Sequence, residues 1–162
     1  MERPDKINYY LDIAEKVSKR CTCIRRHYGA IIVKTDEIIA TGYVGAPRGR
    51  KNCTDIGTCI RDEMEIPRGE RYELCRSVHA EANAIISAPR RDMVGGALYL
   101  VGLDMQTADY IVNANSCSMC KRLVINAGIS TVYIRDDNSA YRTICVRDWV
   151  FDDESLKGTL GY

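Results

Sequence analysis

"CSMCKRLVINAGISTVYIR", residues 117–135, runs two cysteines, a helical segment, a glycine stop at Gly128 and a β-rich segment into one another. Gly128 sits where a helix C-terminal cap belongs, and Val132, Tyr133 and Ile134 are residues that favour strands. Just upstream, "GGALYLVGL" (95–103) is a continuous apolar run of the length of a buried strand. Before it, "SVHAEANAIISA" (77–88) reads as a helix stopped by Pro89. Working outward, "GAIIVKTDEIIATGYV" (29–44) gives two β-rich runs around Lys34-Thr35-Asp36-Glu37 and predicts a hairpin. "PDKINYYLDIAEKVSKR" (4–20) carries Ile7, Tyr10, Leu11, Ala14 and Val17 at helical spacing and predicts a first helix. "YRTICVRDWV" (141–150) predicts a last strand in which Cys145 is packing, and Asp152 to Tyr162 are expected to fray. The sum is an α/β sandwich, with helices on a mixed five-stranded sheet.

The chain of 162 residues fits a single domain, 1–162. Hydrophobic residues at 46% and charged residues at 28% are ordinary for a globular protein, and no apolar run approaches the ~20 residues of a membrane span. The N-terminal residues lack the apolar core of a secretory signal, so a cytoplasmic location is expected. Twenty-three Lys and Arg against 22 Asp and Glu leave a net charge of +1, which gives no footprint for a nucleic acid and favours a small substrate. Residues 45–76 break the alternation of elements: four glycines, two prolines and three cysteines mark a long insertion of the kind that is functional or pinned by metal.

Eight cysteines in a reducing compartment point to metal or catalysis rather than disulfides. Cys117 and Cys120, three apart at a helix start, share one face of its first turn, where the helix dipole favours thiolate. His79 opens the preceding helix. One imidazole and two thiolates give tetrahedral zinc three protein ligands and leave the fourth position for water. Glu81, two residues beyond His79, can reach that water without being a ligand, as a general acid/base must. A His-x-Glu pair alone is common at helix starts, and a Cys-x-x-Cys alone has several uses. Their conjunction beside one small sheet is the signature of the zinc deaminases. The backbone N–H of Ala80 and the region of Ser116 are placed to hydrogen-bond the base.

With these residues in place, the chain resembles the cytidine deaminase superfamily and, within it, the deoxycytidylate (dCMP) deaminases. "TCIRRHYGAIIVK" (22–34), "IIATGYVGAPRG" (38–49), "HAEANAII" (79–86) and "SCSMC" (116–120) stand in the order of that family, across most of the chain from Tyr10 to Arg135. The resemblance implies a three-layer α/β/α sandwich and zinc-dependent hydrolysis of dCMP to dUMP and ammonia, the feed for thymidylate synthesis. It also implies a hexamer that dCTP activates and dTTP inhibits, with Mg2+ accompanying a triphosphate effector. Two positions depart from the family pattern. Ser116 replaces the proline before the first cysteine, and its hydroxyl can cap the helix. Val44 replaces the asparagine of Gly-Tyr-Asn-Gly, which is similar to a sugar ligand. Valine offers only packing and backbone groups, so sugar recognition must be shared differently.

Five more cysteines, Cys21, Cys23, Cys53, Cys59 and Cys75, lie in or beside the insertion, and four would close a structural zinc site. The resemblance through "TCIRR" favours Cys23 over Cys21, giving Cys23, Cys53, Cys59 and Cys75; independent thiols are the alternative. Arg48, Arg50 and Lys51 suit a 5′-phosphate or an effector's triphosphate, as do Arg25 and Arg26. Tyr141 matches a late tyrosine that covers the base in the family. Other readings share the zinc motifs. A tRNA adenosine deaminase would show a basic face, which the charge balance argues against, and another nucleotide or nucleobase deaminase of the superfamily is the remaining enzymatic alternative. A non-catalytic zinc-binding module would have no use for Glu81.

Overall fold

The computed structural model describes residues 3–157. Helix α1 (Lys6–Ser18) starts where Asp5 accepts the backbone N–H groups of Ile7 and Asn8, both at 3.0 Å. It buries Tyr10, Leu11, Ala14 and Ser18, close to the stripe read from the sequence. Strands β1 (Arg26–Lys34) and β2 (Glu37–Tyr43) form the expected hairpin. Thr35 and Asp36 turn it at φ +48° and +66°, as a two-residue hairpin turn requires. The phenol of Tyr10 donates to the Asp36 carbonyl at 3.1 Å and to its carboxylate, which fixes α1 to this turn.

The insertion is less irregular than expected. It contains α2 (Cys53–Ile56), α3 (Ile60–Glu63) and a 3-10 turn at Tyr72–Leu74. Then come α4 (Ala80–Ile86), α5 (Arg90–Met93), β3 (Ala97–Asp104), α6 (Ser118–Ala127), β4 (Thr131–Arg135), β5 (Tyr141–Cys145) and α7 (Val146–Phe151). The sheet order is β2-β1-β3-β4-β5, with β3 and β4 parallel and the other neighbours antiparallel. The mixed five-stranded sheet read from the sequence is the one observed.

Strand β3 carries no charged residue from Ala97 to Leu103 because both faces are covered. Tyr99 and Val101 pack under α1 with Ile31 and Val33, whereas Leu98 and Leu100 pack with Ala30, Ile32, Ala84 and Val124 on the other side. The second face carries α4 and α6. Helix α4 lies almost in contact with β2 at Gly42, where a Cβ would fall 2.2 Å from the Ala80 carbonyl oxygen. Among the described residues no helix is long and apolar enough to cross a membrane.

The end of the chain departs from expectation. Only Tyr141–Cys145 is a strand; from Val146 the apolar residues recur at helical spacing. Val146 is buried and Trp149 packs on the same core, and the Val146 N–H turns to the Ser130 carbonyl (3.0 Å). Cys145 is exposed at this junction, not packed. Of the tail expected to fray, Glu154–Lys157 forms a 3-10 turn and residues 158–162 lie outside the described residues.

Candidate active site

His79 and Cys117 are the N-caps of α4 and α6, two helices packed together on one face of the sheet, and Cys120 lies in the first turn of α6. The His79 Nδ1 stands 3.4 Å from the Cys117 Sγ and 3.5 Å from the Cys120 Sγ. A tetrahedral zinc with bonds of about 2.0–2.3 Å holds its donors about 3.5 Å apart, so this nitrogen-and-two-sulfur set fits that ion with little movement. Asn83, one turn into α4, donates to the carbonyls of Tyr43 (2.8 Å) and Val78 (3.4 Å), which ties the start of the helix to the end of β2.

The three donors polarise one another. The Cys117 thiol is held well below the usual range, first by its hydrogen bond with Cys120 and then by His79, while Cys120 is pushed up by the same contact. Burial pushes the His79 imidazole down, but Cys117 and Cys75 outweigh it and raise it to about 11. Glu81 is 4% exposed. Burial raises its carboxyl above the ordinary range, and the nearby His79 opposes that shift. Such a carboxylate accepts a proton more readily than a solvated one. Ser116, fully buried, sits beside it with a hydroxyl that has no partner of ordinary geometry, so it does not cap α6 as the sequence suggested. Ala80, also fully buried, is the first residue of α4.

His79, Glu81 and Cys117 lie on the floor of an open cleft. Val44, Arg25, Arg26, Cys23, Cys59 and Cys75 line it, which brings together residues that the sequence reading gave to a substrate site, a phosphate or effector site and a structural zinc site. The structure does not bring Arg48 or Tyr141 there. Gly45 and Val78 exchange backbone hydrogen bonds (3.2 and 2.8 Å), after which the chain runs along the β2–α4 edge and Arg48 lines a separate groove with Thr41 and Ser87. Tyr141 packs edge-on to Tyr133, 6.1 Å between rings, in the layer under α1 on the opposite face of the sheet. Arg50 and Lys51 are exposed and outside the cleft, with the Lys51 carbonyl held by Arg76 at 3.0 Å. The Cys21 thiol bonds the Tyr28 carbonyl at 3.0 Å and is pushed by burial up to about 12, which leaves Cys23 as the one of the two that faces the cleft.

The structure adds Tyr28, Arg61, Arg68, Tyr72 and Asn115 to the lining. Period two along β1 places Tyr28 on the face of Ala30 and Ile32, and Asn115 stands two residues before Cys117; those were the available signals. Arg61 carried none. It is 3% exposed, donates to the carbonyls of Glu70 (2.5 Å) and Pro67 (2.9 Å), and stacks 4.3 Å over the Tyr72 ring. Tyr72 in turn meets the His79 ring edge-on at 5.2 Å.

Residues 4–135 match the family model described as the cytidine and deoxycytidylate deaminase zinc-binding region. The chain is 35% identical over 137 residues to a deoxycytidylate deaminase of Mycobacterium phage D29, covering 82% of this chain and 95% of that one. It is 32% identical over 161 residues to the deoxycytidylate deaminase of Saccharomyces cerevisiae, where it covers 94% of this chain and spans about half, 47%, of the longer yeast protein. Among solved structures, the dCMP deaminase of cyanophage S-TIM5 in apo form superposes with a TM-score of 0.56 at 25% identity, over 84% of this chain and 86% of that one.

Proposed function

Because this chain belongs to the cytidine and deoxycytidylate deaminase zinc-binding family, we propose that it hydrolyses dCMP to dUMP and ammonia. The observation that carries this reading is the buried Glu81 carboxyl beside the His79–Cys117–Cys120 donor set, on the floor of a cleft whose lining includes four arginines. A zinc ion held by those three donors would bring the pKa of a water towards about 7. The chain's own residues do the rest. Glu81 takes a proton from the attacking water and passes it to N3 of the pyrimidine as oxygen adds to C4. It then carries the proton of the new hydroxyl to the 4-amino group; the C4–N bond breaks, C4=O forms and ammonia leaves. The N–H of Ala80 and the unpartnered hydroxyl of Ser116 are the neutral groups available to orient the base. Arg25 and Arg26, rather than Arg48, hold the 5′-phosphate; Arg26 makes no ion pair among the described residues.

A second zinc on Cys23, Cys53, Cys59 and Cys75 belongs to the same reading. Burial pushes the Cys53 thiol up, and Cys23, Cys75 and Cys59 lie near enough to push it further. Among the described residues these sulfurs do not gather as closely as the His79–Cys117–Cys120 donors do, so a cation would draw them together in place of their protons, and its binding would then contribute to folding. Assembly into a hexamer, with triphosphate effectors and Mg2+ at the exposed Arg50 and Lys51, completes it. Ile86, Val112 and Phe151 are the exposed apolar side chains that such contacts would cover. Sedimentation is expected to give six chains; a monomer indifferent to dCTP and dTTP would contradict this assembly and leave the chemistry untouched.

The test of the reaction is ammonia release from dCMP, CMP, deoxycytidine, dCTP, guanine and a tRNA anticodon stem. The expected result is turnover of dCMP well above all the others except CMP. Turnover of the RNA or guanine alone, or of none, would contradict the reading.

A further inference from the structure

The cleft has a charged end and a metal-binding floor, and between them a wall whose polar content is small. Val44 contributes no polar side-chain atom. Beside it stands Tyr28: the Val44 N–H donates to the Tyr28 carbonyl at 3.2 Å, and both side chains line the cleft. The Tyr28 ring is held flat over the neighbouring strand at Gly102, its antiparallel partner. A Cβ on Gly102 would fall 2.5 Å from Cε1, 2.8 Å from Cζ and 3.0 Å from Cδ1 of that ring. The bare strand therefore fixes where the phenol points. Its oxygen makes no hydrogen bond within the described residues and is not sealed from solvent, unlike the buried hydroxyls of Thr22 and Ser116.

Glu81, Arg26 and Arg68 line the same cleft as Tyr28 and all act electrostatically on its phenol, so the ring lies within reach of both the buried carboxyl and the arginines. Burial first, and Glu81 next, push its pKa up to about 12, so it carries its proton at neutral pH and can both donate and accept. A nucleotide with its reacting base on the floor and its phosphate among the arginines has one part left to lie between them, the sugar. The sugar of dCMP presents a single free hydroxyl, the 3′. A neutral hydroxyl there matches a neutral phenol, not a guanidinium.

We propose that Tyr28 is a specificity-determining residue of this enzyme, its phenol hydrogen-bonding the 3′-hydroxyl of the nucleotide sugar on the wall where Val44 offers nothing. The assignment rests on the deaminase reading above. It makes Gly102 a positioning residue for Tyr28, since any side chain at 102 would displace the ring.

The test compares dCMP with 2′,3′-dideoxycytidine 5′-monophosphate, which lacks only the 3′-hydroxyl, on wild-type holoenzyme and on Tyr28→Phe, which keeps the ring and its packing. On wild type, kcat/KM should be about tenfold lower for the dideoxy nucleotide, the scale of one hydrogen bond. Tyr28→Phe should lose about tenfold on dCMP and little on the dideoxy nucleotide, so that the two substrates become nearly equivalent, with Tm and the pH profile of kcat unchanged. A Tyr28→Phe enzyme that loses equally on both substrates, or on neither, would overturn the assignment and leave the deaminase reading standing. Wild-type enzyme that releases no ammonia from dCMP would overturn both.

Discussion

At the floor of the cleft, His79, Cys117 and Cys120 hang from the first turns of α4 and α6, helices seated on a sheet that is covered on both faces. A second wall is lined from the insertion, residues 45–76, which has two single-turn helices and a 3-10 turn, with Glu65 and Arg71 in the left-handed region at φ +52° and +47°. Within that segment one buried guanidinium, Arg61, caps carbonyls of its own loop, and the Gly45–Val78 bridge and the Arg25–Asp62 ion pair tie the segment to the rest of the chain. Local rules place the floor: a helix start at His79 and at Cys117 and a spacing of three between the two cysteines determine it. The wall depends on contacts between residues far from regular structure, and backbone held in sparsely populated conformations persists only where its surroundings fix it.

The comparison can be broken from either side. The largest effect is expected at the floor. Cys120→Ser should abolish binding of the catalytic zinc and bring ammonia release down to background, with the sheet intact by circular dichroism. Retained zinc and activity would mean that the donor set has been misassigned. Next comes the charged end. Arg26→Ala is expected to lower kcat/KM for dCMP about 10–100-fold, the worth of a charge-assisted hydrogen bond, and to leave deoxycytidine unaffected. Equal losses on both would remove Arg26 from the phosphate site.

For the wall, Arg61→Ala should lower local stability by about 1.5–3 kcal/mol, the cost of losing hydrogen bonds made by a buried charged group. Hydrogen exchange should then quicken across residues 45–76 while β1 and β3 keep their protection. Uniform loss of protection would show that wall and floor unfold as one unit. The smallest effect on catalysis is expected from Cys53→Ser, which should take the zinc content from two per chain to one with the catalytic ion in place. Elemental analysis that finds one zinc in the wild-type protein would remove the metal from the wall altogether.

The same contrast decides what could be read from the sequence. His79 and Cys117 lie 38 residues apart, yet the structure brings them together where the sequence puts two helix starts, because each helix follows from its own apolar spacing. The hairpin followed from Thr35-Asp36, and β3 from its unbroken apolar run. Arg48 and Tyr141 show where local reading stops. Arg48 lies only four residues beyond Val44, but the bridge between Gly45 and Val78 sends the chain to the other side of that segment, a pairing no local pattern announces. Tyr141 is in the expected strand, but its face depends on how β5 registers against β4, where it opposes Arg135. Residues 146–150 read as strand because Val146, Trp149 and Val150 favour both states; packing of Trp149 on the core accompanies the helix Val146–Phe151. Arg61 and Tyr28 were unread for different reasons. A buried arginine in a loop looks like any solvated one in sequence, and Tyr28 becomes part of the cleft only when Gly102 on the next strand makes room for its ring.

The central claim is that Glu81 moves protons and does not hold the metal. Steady-state ammonia release and zinc content measured together on Glu81→Gln test it most directly. The account gives about one catalytic zinc per chain retained, with kcat for dCMP lower by two to four powers of ten, roughly the range of general acid–base catalysis. Near-normal turnover with zinc in place would contradict it, and so would loss of the zinc along with the activity.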